Sequence, residues 1–166
     1  PDGRESLIFF NANKETDKTL ISGAKKFKDD SAIHIFAHGN QKGIYAYIDG
    51  KTVSIKDAKN LTVFLSDHSD VWKNRKDGED VTVVLHSCRT GEGENSFAKN
   101  VSKDMDGVTI IAPDQRDFIS SDKELGPYKS KYTDTNNEYK RDENGNVKSK
   151  ERSNERGNWK VFKNGK

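Results

Sequence analysis

Apolar residues in this chain fall into short runs separated by polar stretches, and the runs follow two different periods. Residues 6–10 (Ser-Leu-Ile-Phe-Phe), 32–37 (Ala-Ile-His-Ile-Phe-Ala), 81–85 (Val-Thr-Val-Val-Leu) and 108–112 (Val-Thr-Ile-Ile-Ala) have the length and β-branched content of buried strands. Between them, apolar residues recur three and four apart. Leu20, Ile21, Ala24 and Phe27 mark a helix over 17–27, and Phe97, Ala98, Val101 and Met105 mark one over 95–105. Ile55, Ala58, Leu61, Phe64 and Leu65 mark another over 55–65, with Ser54 as its cap. Residues 43–53 alternate instead, with Ile44, Ala46 and Ile48 on one face and Tyr45 and Tyr47 on the other. A turn at Asp49-Gly50 makes this a β-hairpin. Strands alternating with helices imply βαβ units and right-handed crossovers. The expected fold class is therefore α/β, with a mainly parallel central sheet flanked by helices.

The pattern lapses after Ser121. Between residues 129 and 157 only Tyr132, Tyr139 and Val147 are apolar, too few to offset the entropy of ordering the segment, which predicts a long mobile excursion. Strand-like alternation resumes at 158–162, where Trp159 and either Val161 or Phe162 are expected to pin a last strand on the sheet, beside residues 117–120. The organisation expected is one domain: a catalytic core over 1–121 and a polar, partly mobile extension over 122–166. No internal repeat is present.

Composition narrows the function classes. The 166 residues are only 31% hydrophobic and 34% charged, so a core of domain size must be concentrated in the runs above. The net charge of +2 argues against binding nucleic acid through bulk charge. Lys148, Lys150, Arg152 and Arg156 form a basic run in the extension, but Glu151 and Glu155 interrupt it, as on a solvated loop. The single cysteine excludes an internal disulfide, and no Cys/His group has zinc-ligand spacing, so neither metal nor cofactor is expected. No apolar stretch is long enough to span a bilayer and no signal peptide is evident. The start at Pro1 reads as a piece of a longer protein, soluble when isolated.

The chemistry concentrates at the ends of two strands. The run 34–40 ends in His38-Gly39-Asn40, and the run 84–91 contains the cysteine, in His86-Ser87-Cys88-Arg89-Thr90-Gly91. Side chains at the carboxyl ends of neighbouring parallel strands converge on one crevice. An imidazole beside a thiol can take its proton and leave a nucleophilic thiolate. The N–H groups of Gly39 and Cys88 could hold an oxyanion, and a helix beginning just after Cys88 would add its dipole.

The Cys88 run resembles the Gln-Ala-Cys-Arg-Gly nucleophile motif of caspases, with His38 fifty residues upstream, as in that family. More broadly, residues 6–120 are similar to the caspase-like (clan CD) cysteine peptidases, which include gingipains, clostripain and the self-cleaving protease domains of bacterial toxins. The resemblance implies a three-layer caspase-like fold and a protein or peptide substrate. It makes His38 the general base, Cys88 the nucleophile, and the Gly39 and Cys88 amides the oxyanion hole. His86 stands where caspases carry the Gln that lines the pocket for the residue before the scissile bond. Asp114 and Arg116 follow the next strand, where such folds place substrate contacts. Asp114 would favour a basic residue before the cut and Arg116 an acidic one, and Asp114 also reads as a turn cap after Pro113.

A second resemblance joins 108–114, 119–122 and 157–165 to the C-terminal toxin domains of bacterial polymorphic toxins, including Rhs-type proteins. It implies secretion or delivery from a bacterium into a target cell and a cognate immunity or inhibitor protein. His34, on the strand face of His38, reads as a buried histidine bonded to backbone. His68 reads as a solvated loop residue. Another cysteine-dependent acyl transferase or hydrolase, a degenerate binding module and a nuclease toxin remain the alternatives.

Overall fold

The computed structural model describes residues 5–28 and 31–166. In chain order the elements are β1 (Glu5–Ile8), α1 (Glu15–Lys25), β2 (Ile33–Phe36), β3 (His38–Asn40), β4 (Gly43–Ile48), β5 (Lys51–Ile55), α2 (Ala58–His68) and α3 (Asp70–Lys73). There follow β6 (Val81–His86), α4 (Phe97–Lys103), β7 (Val108–Pro113), β8 (Arg116–Ile119), β9 (Glu124–Ser130), β10 (Arg152–Arg156) and β11 (Trp159–Phe162). A five-stranded sheet in the order β1-β2-β6-β7-β11 forms the centre. The first four strands pair in parallel, with Leu7 opposite Ile35, Ile35 opposite Leu85, and Val83 opposite Ile110.

Alternation of side chains across the strands decides what each face meets. Ile33, Ile35, Val83, Leu85, Val108, Ile110 and Phe162 point to one face and pack on Leu61, Phe64 and Leu65 of α2 and Phe97, Ala98 and Val101 of α4. On the other face, Phe36 packs against Ala24 of α1 together with Phe10 and Ile119. Further along that face Val161 stays exposed, and a cavity of about 390 Å³ opens between Phe27, His34, His86 and Trp159.

These features correct the expected architecture. The chain does not form a three-layer caspase-like fold with a mainly parallel, helix-flanked sheet; it is richer in strand than in helix. β11 runs antiparallel to β7, with Trp159 opposite Pro113 and Phe162 opposite Ile110, so the central sheet is mixed. Two further three-stranded sheets, β3-β4-β5 and β10-β9-β8, are antiparallel throughout. The reason is that β8, β9 and β10 are polar strands held by backbone pairing, which leaves little apolar periodicity to read.

Local differences have similar causes. Residues 51–55 continue the hairpin as β5, so α2 starts later than Ser54 and is capped by Asp57, whose carboxylate accepts the Asn60 N–H at 2.8 Å. At the hairpin turn Asp49 and Gly50 both have positive φ, 50° and 81°, as a turn matched to strand twist requires. His68 ends α2, with its ring against Phe9 and Phe64, and is not a loop residue. The last strand lies beside β7, not beside residues 117–120; Phe162 is buried there, while Trp159 is 37% exposed, so Trp159 is not a core residue.

Residues 129–157, expected as an unpacked excursion, form two small hydrogen-bonded turns closed by Thr133 opposite Tyr139 and Arg141 opposite Val147, followed by β10. Polar contacts do the work that apolar burial cannot. Lys129 pairs with Glu155 and Lys131 with Glu151, while Arg152 and Arg156 both lie over the Tyr128 ring. No helix among the described residues is long and apolar enough to cross a membrane.

Candidate active site

The pairing of β2 with β6 sets the site. Phe36 stands opposite His86, so His38 and Cys88, each two residues further on, leave the same end of adjacent parallel strands. Gly39 lies directly against the cysteine turn. A Cβ at Gly39 would stand 2.9 Å from the Ser87 Cβ and 3.0 Å from a Thr90 methyl, so glycine is what lets the two segments meet. The described residues contain no direct hydrogen bond between His38 and Cys88.

His38 has a partner that the sequence did not reveal. Its Nε2 lies 2.9 Å from Oδ1 of Asp17, which is buried in the first turn of α1, and the other Asp17 oxygen accepts the Asn11 N–H at 2.9 Å. A carboxylate there fixes the tautomer: Nε2–H donates to Asp17, and Nδ1 keeps the free lone pair. The Phe10 ring lies edge-on to the imidazole at 5.1 Å, limiting its swing. In the sequence Asp17 looks like an ordinary acidic residue at a helix start. Its burial in a polar first turn is the signal, and only the fold supplies it.

The cysteine turn is held from three directions. Thr90 Oγ1 donates to the Ser87 carbonyl, Arg89 N to Gln115, and Gly91 N to Pro113. Arg89 adopts φ of 60°, in the left-handed region that residues other than glycine rarely take. The surroundings enforce it: its buried guanidinium donates to Glu92 at 2.7 Å and Glu138 at 3.0 Å. The expected helix dipole is absent, because a turn follows Cys88 and α4 begins only at Phe97. Burial pushes the half-buried Cys88 thiol up from its ordinary value, against the opposing pull of the Asp117 carbonyl, which it approaches at 4.0 Å, and of the Arg116 charge. The thiol therefore rests protonated and requires a base.

Behind Cys88 runs a buried polar chain. His34 Nδ1 and His86 Nε2 lie 2.9 Å apart, and His86 Nδ1 lies 2.6 Å from Glu124 Oε2. His34 is thus bonded to the side chain of His86. The His86 ring stacks on Phe36 with centroids 4.0 Å apart. Asp117 faces Glu124, and one ligand atom from each of His86, Asp117 and Glu124 lies within 4.8 Å of the others, a grouping close enough to hold a metal. Burial, with the neighbouring Glu124 and Cys88, raises Asp117 well above the usual carboxylate range. Burial also acts to raise Glu124, but the neighbouring Asp117 and His86 outweigh it and leave Glu124 lowered.

The two shifts act on stability with opposite signs. Folded Asp117 keeps a proton that the unfolded chain has released, so its contribution weakens as pH rises from the ordinary carboxylate range through the raised value. Glu124 contributes above its ordinary value and loses that contribution as pH falls through its lowered one. Asp117→Asn mimics the protonated acid. In EDTA, the variant should be more stable than the parent at pH 8 by about 1–3 kcal/mol, with the difference vanishing toward pH 4. Thermal melts across pH check this, and parallel curves for the two proteins would contradict it.

The remaining site candidates are placed differently. His86 lines the 390 Å³ cavity on the face of the buried chain. Asp114 accepts the Asn158 N–H at 2.7 Å and Asn158 Nδ2 at 3.4 Å, which ties β11 to β7 and leaves Asp114 as a fastener of the last strand. Arg116 is buried, donates to the Asn137 side chain and carbonyl, and stacks on Tyr139 at 4.0 Å, so it anchors the 133–139 turn.

Residues 6–130 match the family described as a domain of unknown function, DUF8616. The match spans well over half of the chain, and the protein belongs to that family. No curated protein matches it.

Proposed function

We propose that this domain is a cysteine endopeptidase that uses Cys88 as nucleophile and His38 as general base. The observation that carries the reading is the register of β2 and β6, which brings His38, already oriented by a buried carboxylate, to the strand end beside the cysteine turn. The likeness of the Cys88 motif to that of caspase-like peptidases adds support.

In the reaction, Cys88 Sγ attacks a peptide carbonyl while its proton passes to His38 Nδ1. The backbone N–H groups of Gly39 and Cys88 face the developing oxyanion. His38 then gives the proton to the leaving amine, and water, deprotonated by the same nitrogen, hydrolyses the thioester and frees the acid. Asp17 holds the imidazolium formed between the two transfers. The resemblance of the C-terminal segments to polymorphic-toxin domains supports a toxin or effector role in a target cell, with an immunity protein as partner.

A peptidyl acyloxymethyl ketone, which alkylates activated cysteines, tests the reading together with a peptide library. The probe should label Cys88 at least about 100-fold faster in the parent than in His38→Ala, and the library should be cut at internal bonds. Equal labelling in the two proteins, or acyl transfer without peptide cleavage, would overturn the peptidase assignment.

A further inference from the structure

The buried chain behind Cys88 is unexplained by peptide hydrolysis. Asp117 is only 8% exposed, and neither of its carboxylate oxygens meets a hydrogen-bond donor among the described residues. One of them lies within 4.8 Å of a carboxylate oxygen of Glu124, whose side chain is 9% exposed and already contacts His86. Two facing carboxyl groups in so dry a setting require something positive between them, either a proton or a cation. The third donor is an imidazole nitrogen, His86 Nδ1, and the opposite nitrogen of that ring is fastened to His34 at 2.9 Å. That is the outer contact that orients a ligating histidine.

We propose that His86, Asp117 and Glu124 bind a late first-row divalent cation, of which Zn²⁺ is the representative. One nitrogen and two carboxylate oxygens suit this class better than Mg²⁺ or Ca²⁺, which take oxygen donors in larger numbers. Three protein donors leave a fourth position open. The cavity of about 390 Å³ lined by His34, His86, Glu124 and Trp159 gives an entry path and room for water or a ligand there. Entry of the cation displaces the shared proton and replaces the 2.6 Å His86–Glu124 hydrogen bond. Donors around a tetrahedral Zn²⁺ sit about 3.4 Å apart, so the His86–Glu124 pair, now at 2.6 Å, opens by about 0.8 Å, while a donor pair at the 4.8 Å limit closes by about 1.4 Å. The site stands apart from the peptidase reading and does not depend on it.

The test uses the full chain carrying Cys88→Ser and His38→Ala, which removes the thiol and the exposed imidazole as competing zinc ligands. Calorimetric titration with ZnCl₂ and metal analysis after dialysis should give one Zn²⁺ per chain. Co²⁺ should give the visible absorption of low-coordinate geometry. Asp117→Asn and Glu124→Gln in the same background should each weaken binding by at least about 10-fold and abolish the thermal shift caused by Zn²⁺. Melting without metal confirms that both variants fold, and Asp117→Asn preserves the buried shape. Absence of stoichiometric binding, or affinity in either variant equal to that of the unsubstituted background, would overturn the site. Either result leaves the peptidase reading untouched, because this background has no dyad.

Discussion

Cys88→Ala should abolish peptide cleavage, lowering kcat/KM by about 10⁴-fold or more, and His38→Ala should lower it by about 10³-fold or more. The first expectation follows from the chemistry, because the chain has no other cysteine to supply a thiolate. The second follows from the setting of the thiol. Burial holds Cys88 in its protonated form, so removing His38 takes away the base that the mechanism assigns to it. If the two act as one unit, the double variant will be no worse than Cys88→Ala alone, since losses within a dyad do not add. Cys88 is half-buried, so Cys88→Ala should lower stability by no more than about 1 kcal/mol, whereas His38→Ala leaves the buried Asp17 carboxylate with one donor fewer and should cost about 1–3 kcal/mol. Melting curves therefore separate lost chemistry from lost fold. Full activity in either single variant would rule out the mechanism.

The same two residues mark the limit of what the sequence discloses. Continuous β-branched runs located β2, β6 and β7, and glycine placed the His38 segment at a strand end, because both signals act within a few residues. The hairpin at Asp49-Gly50 was legible for the same reason: a turn with two positive φ angles demands particular residues. The sheets formed by β8, β9 and β10 were not legible. Arg116, Lys129 and Arg152 lie on strands held through their backbones, while their side chains find ring or ion partners far away in the chain. The cluster behind Cys88 was hidden by distance as well. Asp117 and Glu124 lie about 30 and 40 residues past His86 on separate strands, and only the β8-β9 pairing returns them to it. The expected helix dipole at Cys88 fails because α4 begins only at Phe97. The Arg89 turn and its ion pairs with Glu92 and Glu138 occupy that interval instead.

Asp17→Asn should lower kcat by about 10²–10⁴-fold with little change in KM. Asp17 is a positioning residue: it touches His38, not the substrate. In the parent, Oδ1 accepts Nε2–H and leaves Nδ1 without a hydrogen. The Asn variant can keep the Asn11 N–H on its oxygen, but then its amide donates to His38 Nε2. That stabilises the opposite tautomer, with a hydrogen on Nδ1 where a lone pair is needed. The geometry is nearly unchanged while the proton sits on the wrong nitrogen. Substrate binding should survive, so the loss falls on kcat. The rate should rise more steeply with pH than in the parent as hydroxide takes over part of the base's role. Asp17→Glu keeps the charge and should recover part of the rate if its longer arm reaches Nε2. A purely structural role predicts something different: reduced melting temperature and reduced rate together in both variants, with an unchanged pH profile. Asp17 is buried, so the stability of each variant is measured first. A folded Asp17→Asn protein with parental kcat would show that His38 does not depend on this carboxylate and that Asp17 only ties the first turn of α1 to Asn11.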